Sequence, residues 1–152
     1  MRNQMFHLIW CIFFLILPSS YSYGEDVTSE LFPDVNFMRD IPLYKDNKII
    51  AIVESSAGSR DIWKVDVKKG GIYWHKDKDL PERLDFTLGY PANLAFFPRT
   101  KSFPPHGNGK EPLRTFIIGG QLRTGSIVFI KPIAALLLNE NNIKSTILIS
   151  IQ

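Results

Sequence analysis

Residues 48–67 read KIIAIVESSAGSRDIWKVDV. The first part, Lys48 to Glu54, is rich in β-branched residues and predicts a strand. Ser55 to Ser59 predicts a turn around Gly58. Asp61 to Val67 then alternates: Trp63, Val65 and Val67 share one face, and Ile62, Lys64 and Asp66 share the other. Period two on both sides of a small-residue turn is the pattern of β-structure, not of helix.

The same texture continues downstream. Gly70-Gly71 predicts a turn, IYWHK opens another strand, and Leu84 to Tyr90 follows a charged turn containing Pro81. Residues 98–112 hold four prolines and two glycines and predict a long loop of the kind that often carries function. Strands resume at TFIIG (115–119) and SIVFIK (126–131). Pro132 interrupts, IAALLL continues, and a polar turn at Asn139 to Asn142 leads into STILISI. No long helix is expected here. Five to seven short strands with Gly/Pro turns predict an all-β barrel or sandwich with long loops, and closure into a barrel removes exposed edges.

Upstream the composition changes. Residues 23–47 are acidic and then mixed, with Pro33 and Pro42, and predict an N-terminal arm of loops. Residues 1–22 differ again: Arg2, then the apolar run MFHLIWCIFFLIL, then Pro18 and small residues. This is the pattern of a secretory signal peptide, so export to the periplasm or beyond is expected. Thirteen apolar residues (5–17) are fewer than the ~20 that span a bilayer, so no stable membrane insertion is expected after cleavage. The single cysteine, Cys11, lies in that run. The remaining chain therefore lacks a thiolate nucleophile, a disulfide or a cysteine-bound zinc. The formal net charge of +3 is mild and suits an anionic ligand without demanding nucleic acid. Trp63, Tyr73 and Trp74 read as strand packing, not as a platform for stacking bases. His75 and His106 have no partner at metal-ligand spacing and receive no role.

Two segments go beyond composition: ESSAGSRDIWKVD (54–66) and LGYPANLAFFPRT (88–100). With GNGKEPLR (107–114), TFIIGG and GSIV following in order, they resemble the soluble (family I) inorganic pyrophosphatases from about residue 48 onward. The resemblance implies a closed five-stranded OB-like barrel, hydrolysis of pyrophosphate to two phosphates, a Mg²⁺ cofactor and a homo-oligomer. Metal ions there neutralise a dense anion and activate a water, with carboxylates as hard oxygen ligands. By this resemblance Glu54 matches a catalytic glutamate, Arg83 and Tyr90 match phosphate-binding groups, and Asn93 and Thr100 match framework positions.

The departures concern chemistry. The family's phosphate-binding lysine falls on Ile62, the following glutamate on Lys64, and the second tyrosine on Leu94. In the acidic loop the aspartates fall on Asn108, on Lys110 or Glu111, and on Arg114. Further along, Glu140 is the surviving acidic candidate, with Ser145 and Ile147 where an aspartate and a lysine are expected. No counterpart is expected for the family's later tyrosine and lysine ligands or for its C-terminal helix. The candidate site is thus Glu54 and Glu111 for catalysis, Arg83, Tyr90, Lys64 and Arg114 for substrate, and Asn108, Glu111 and Glu140 for metal. Because Lys110 and Arg114 repel a cation, weak or lost hydrolysis is expected. The rival expectation is a non-catalytic module that binds a phosphorylated small molecule without metal.

Overall fold

The computed structural model describes residues 30–32, 34–77, 80–81, 83–85, 88–104, 107–140 and 143–152. The expected signal segment and His106 lie outside them. The strands are β1 (Glu30–Leu31), β2 (Tyr44–Lys45), β3 (Lys48–Ser55), β4 (Trp63–Val65), β5 (Ile72–Trp74), β6 (Lys76–Asp77), β7 (Leu80–Pro81), β8 (Asn93–Phe96), β9 (Arg114–Ile118), β10 (Ile127–Glu140) and β11 (Ile143–Ile151). Among the described residues no helix is long and apolar enough to cross a membrane.

Five strands close on themselves. β3 pairs with β8, β8 with β9, β9 with β11, β11 with β10, and β10 returns to β3. This is the expected closed, all-β, OB-like barrel. All pairings in the ring are antiparallel except β9 with β11, where Arg114 to Ile118 run alongside Ile147 to Ile151. A three-stranded sheet, β1-β5-β4, packs outside the ring.

Alternation along the strands divides two apolar clusters. Ala51 and Val53 of β3, Ala95 of β8 and Ile117 of β9 point inward with Phe97 and Ile130. Ile52 and Phe96 point outward and meet Val65, Ile72 and Phe37, which seal the barrel against the outer sheet. β3 is therefore buried on both faces, and this explains its nearly unbroken apolar run. Burying a side chain such as Ile52 or Phe96 stabilises the fold by about 1.5–3 kcal/mol.

Four expectations change. β4 is shorter than Asp61–Val67, because Asp66 leaves the strand and its Oδ1 accepts the backbone N–H groups of Lys68 and Lys69 at 2.8 and 3.0 Å, making a turn. Leu84 to Tyr90 is not a strand among the described residues; Arg83 forms one isolated bridge with Asp61. Pro132 does not interrupt β10. The register shifts between Pro132 and Ala134, a bulge that carries the strand past the missing N–H. The N-terminal arm is not all loop: β1 joins the outer sheet, and β2 forms a tight hairpin with β3 through Asp46 and Asn47, both at positive φ. Beyond Ile130, β10 leaves β3 and runs on with β11 as a two-stranded ribbon, on which Ile133, Leu136, Leu137 and Leu138 are exposed.

Candidate functional site

The site lies on the outer face of the barrel, where β3, β8 and β9 pass the outer sheet. Alternation along β3, with Ile52 outward and Val53 inward, turns Glu54 out toward β4 and β9. Val53 pairs with Ala95 and Ser55 pairs with Leu94, so a bulge falls at Glu54. Glu54 is fully buried. Its Oε1 accepts the Val65 N–H at 2.9 Å. Ser55, also buried, ties the following turn to β4: its hydroxyl accepts the Trp63 N–H and donates to the Asp61 carbonyl, each at 3.2 Å.

Arg114, at the start of β9, reaches into this place. Its Nε donates to Glu54 Oε2 at 2.8 Å and its Nη2 to Oε1 at 3.4 Å, while its Nη1 pairs with Glu111. One guanidinium thus stands between two carboxylates, with its side chain only 21% exposed. Burial opposes its charge, but the Glu54 and Glu111 carboxylates outweigh burial and raise its pKa above the ordinary arginine value. For Glu111, burial pushes the carboxyl up, but Arg114 chiefly, with Lys64 and His75, brings it below its ordinary 4.5. Tyr73, which pairs with Lys64 across β4 and β5, has its hydroxyl pushed up by burial and by the nearby Asp66, Glu111 and Glu54 carboxylates.

A pocket of about 250 Å³ opens beside the pair. Lys64, Tyr90, Glu54 and Arg114 supply its polar groups, and Ile62, Trp63, Leu94, Phe116 and Ile147 supply apolar wall. Tyr90 is held by a close approach of two backbones. Its N–H donates to the Ser59 carbonyl and its carbonyl accepts the Gly58 N–H, both at 2.9 Å. Gly89, at φ +69°, permits this, since a Cβ there would lie 2.5 Å from the carbonyl oxygens of Gly58 and Ser59. A second pocket, of about 200 Å³, lies on the other side of Arg114 and is lined by Asn108, Glu111, Ser145 and Thr146.

The structure therefore brings Glu54, Lys64, Tyr90, Arg114 and Glu111 together, with Asn108 at the margin. It does not bring in Arg83, whose Nε donates to Asp61 at 3.0 Å and whose guanidinium lies over the Trp74 ring at 5.7 Å. For Glu140 the described part is its place in β10, four residues along the strand from Leu136, the partner of Ile147, and two from Leu138, the partner of Ser145 in the second pocket; its side chain lies outside the described residues. The sequence missed the Glu54–Arg114–Glu111 arrangement itself. Its signal was an arginine at 114 and a glutamate at 111 in a chain with a strand-end glutamate at 54.

A divalent cation does not fit this donor set. Mg²⁺ demands near-octahedral oxygen coordination. Both Glu54 oxygens already accept from Arg114, and one also accepts from Val65. Glu111 is held by the same guanidinium, and Asn108 Oδ1 accepts the Lys110 and Glu111 N–H groups at 2.9 and 3.2 Å. Among the described residues, no group of three or more His, Cys, Asp or Glu side chains is placed to hold a metal. The aromatics also have an account: Trp63 stacks on Trp74 with ring centroids 5.4 Å apart, as strand packing requires.

No protein-family model matches the sequence, and no curated protein matches it. Solved structures do match the fold. Type I inorganic pyrophosphatase from P. falciparum aligns with TM-score 0.68 at 21% identity, over 77% of this chain and 42% of that one. Inorganic pyrophosphatase from Thermus thermophilus aligns with TM-score 0.61 at 19% identity, over 77% and 62%. The N-terminally truncated vacuolar soluble pyrophosphatase from Trypanosoma cruzi, solved in complex with PPi, aligns with TM-score 0.63 at 16% identity, over 78% and 51%. The match thus spans less than two thirds of the length of each of these structures. Residues from distant parts of the chain close the same barrel that those enzymes use, and the chain has the inorganic pyrophosphatase fold.

Proposed function

We propose that this chain is an exported pyrophosphatase-type protein in which Mg²⁺-dependent hydrolysis is weak or lost, and whose pocket binds a phosphorylated small molecule without metal. The observation that carries the reading is the Arg114 guanidinium seated between Glu54 and Glu111. Hydrolysis of pyrophosphate by this fold would need metal ions to clamp the attacking and leaving oxygens. In this chain a fixed organic cation occupies the carboxylates that a metal would use. Displacing it would leave a buried arginine uncompensated, which is costly. Lys64 and Tyr90 line the pocket and supply charge and a hydroxyl for a phosphate.

The test is phosphate release from pyrophosphate, with Mg²⁺ and with chelator, beside a Glu54→Gln control. The expected result is release far below the median enzyme turnover of about 10 s⁻¹, with no difference between metal and chelator. Metal-dependent release at that rate, abolished by Glu54→Gln, would overturn the reading.

A further inference from the structure

We propose that the pocket beside Glu54 takes a phosphate monoester carried on an apolar or aromatic body, and discriminates against compact anions such as pyrophosphate. This rests on the metal-free binding reading above and names its ligand class. Three observations lead to it.

The first is the wall. Ile62 and Leu94 stand where the resembling family places a lysine and a tyrosine, and in the structure both line the pocket. Trp63, Phe116 and Ile147 complete an apolar surface. A small polyanion placed here would lose hydration without gaining partners along most of the wall. An apolar body gains free energy in proportion to the surface it removes from water.

The second is the charge. Arg114 is compensated by two carboxylates. Lys64 forms no direct ion pair among the described residues and acts on Glu111 only through space, so it is the pocket-lining cation that can turn to a phosphate. One such cation suits one phosphate group better than two adjacent ones. The third is size. A cavity of about 150 Å³ holds a benzene ring. The 250 Å³ here accommodates a ring and a phosphate head. Trp63 is braced by its stack on Trp74, so the wall is set before a ligand arrives.

Phenyl phosphate is the direct probe. The full chain is titrated in chelator with phenyl phosphate, inorganic phosphate, pyrophosphate and phenol, followed by calorimetry and by tryptophan fluorescence. Phenyl phosphate is expected to bind at least about tenfold tighter than each of the other three, the equivalent of about 1.4 kcal/mol. Lys64→Gln should abolish the advantage over phenol. Leu94→Asn should abolish the advantage over inorganic phosphate. Melting curves establish that both variants fold. Pyrophosphate or phosphate binding as tightly as phenyl phosphate would overturn this inference and leave the metal-free reading intact. Phenol binding as tightly as phenyl phosphate would also overturn it. Absence of any anion binding by folded wild-type protein would overturn both.

Discussion

Asn93 and Arg114 sit on paired strands, Asn93 opposite Ile117 and Arg114 opposite Phe96, and each is a polar group in a sheltered place. They are satisfied in different ways. Asn93 bonds only to backbone: its Oδ1 accepts the Ala57 and Leu122 N–H groups at 3.0 and 2.8 Å, and its Nδ2 donates to the Ile117 and Gly120 carbonyls at 3.3 and 2.9 Å. It fastens two turns to the barrel end. Arg114 bonds to side chains, Glu54 and Glu111. A backbone-directed clamp ties the fold to one residue type. A side-chain charge pair ties only the sign of the charge, and a chain can rewrite it. Asn93 serves the fold through main-chain bonds, and Arg114 serves the site through charge.

The largest effect is expected from Arg114→Met. Removing one partner leaves the Glu54 carboxylate buried beside apolar neighbours, and a loss of about 3–5 kcal/mol in unfolding free energy is expected by denaturant titration. Adding Glu54→Leu should restore part of that loss by removing the stranded carboxylate, the remainder being the Val65 N–H left without its acceptor. No restoration by the double variant would show that the loss does not come from the stranded Glu54 charge.

Asn93→Ala should cost less, about 2–3 kcal/mol, since it orphans two backbone donors near the surface without stranding a charge. No second substitution among its partners should rescue it, because they are main-chain groups. A thermal-melt comparison with the Arg114 series checks the difference.

The smallest effect concerns acid. Glu111 has a lowered pKa in the fold, so it contributes stability above its unfolded value, and that contribution is lost as pH falls through the folded value. The melting temperature should therefore drop between pH about 5 and about 3, and Glu111→Gln should flatten that part of the profile. An unchanged profile in the variant would remove Glu111 from the arrangement.

Much of the frame was legible because it is written in periodicity. KIIAIVE, TFIIG and STILISI are strands in the structure, and the residues aligned with the family framework, Asn93 and Thr100, make framework bonds: the Thr100 hydroxyl donates to Phe97 O at 2.8 Å and accepts the Leu113 N–H at 3.0 Å. Around Leu84 the chain is held from outside the ring: Arg83 bridges and ion-pairs with Asp61, and Leu84 exchanges hydrogen bonds with Arg60. Pro132 was misread because a bulge next to it cannot be seen in one chain's sequence. For the site, the residue types were legible but not the partnerships. Arg83 stands near the expected sequence distance from Tyr90, yet Asp61 and Trp74 hold it elsewhere. Arg114 and Glu54 are sixty positions apart, and the pairing of β3 and β9 on either side of β8 brings them to 2.8 Å.

The Arg114 guanidinium holds both the Glu54 and the Glu111 carboxylates. The measurement to make is the melting curve of the wild-type protein in millimolar Mg²⁺ and in chelator, since any ion that binds the folded state alone must raise its stability. Superimposable curves are expected. A rise in melting temperature with Mg²⁺ that disappears in Glu54→Gln would show that the carboxylates are open to metal.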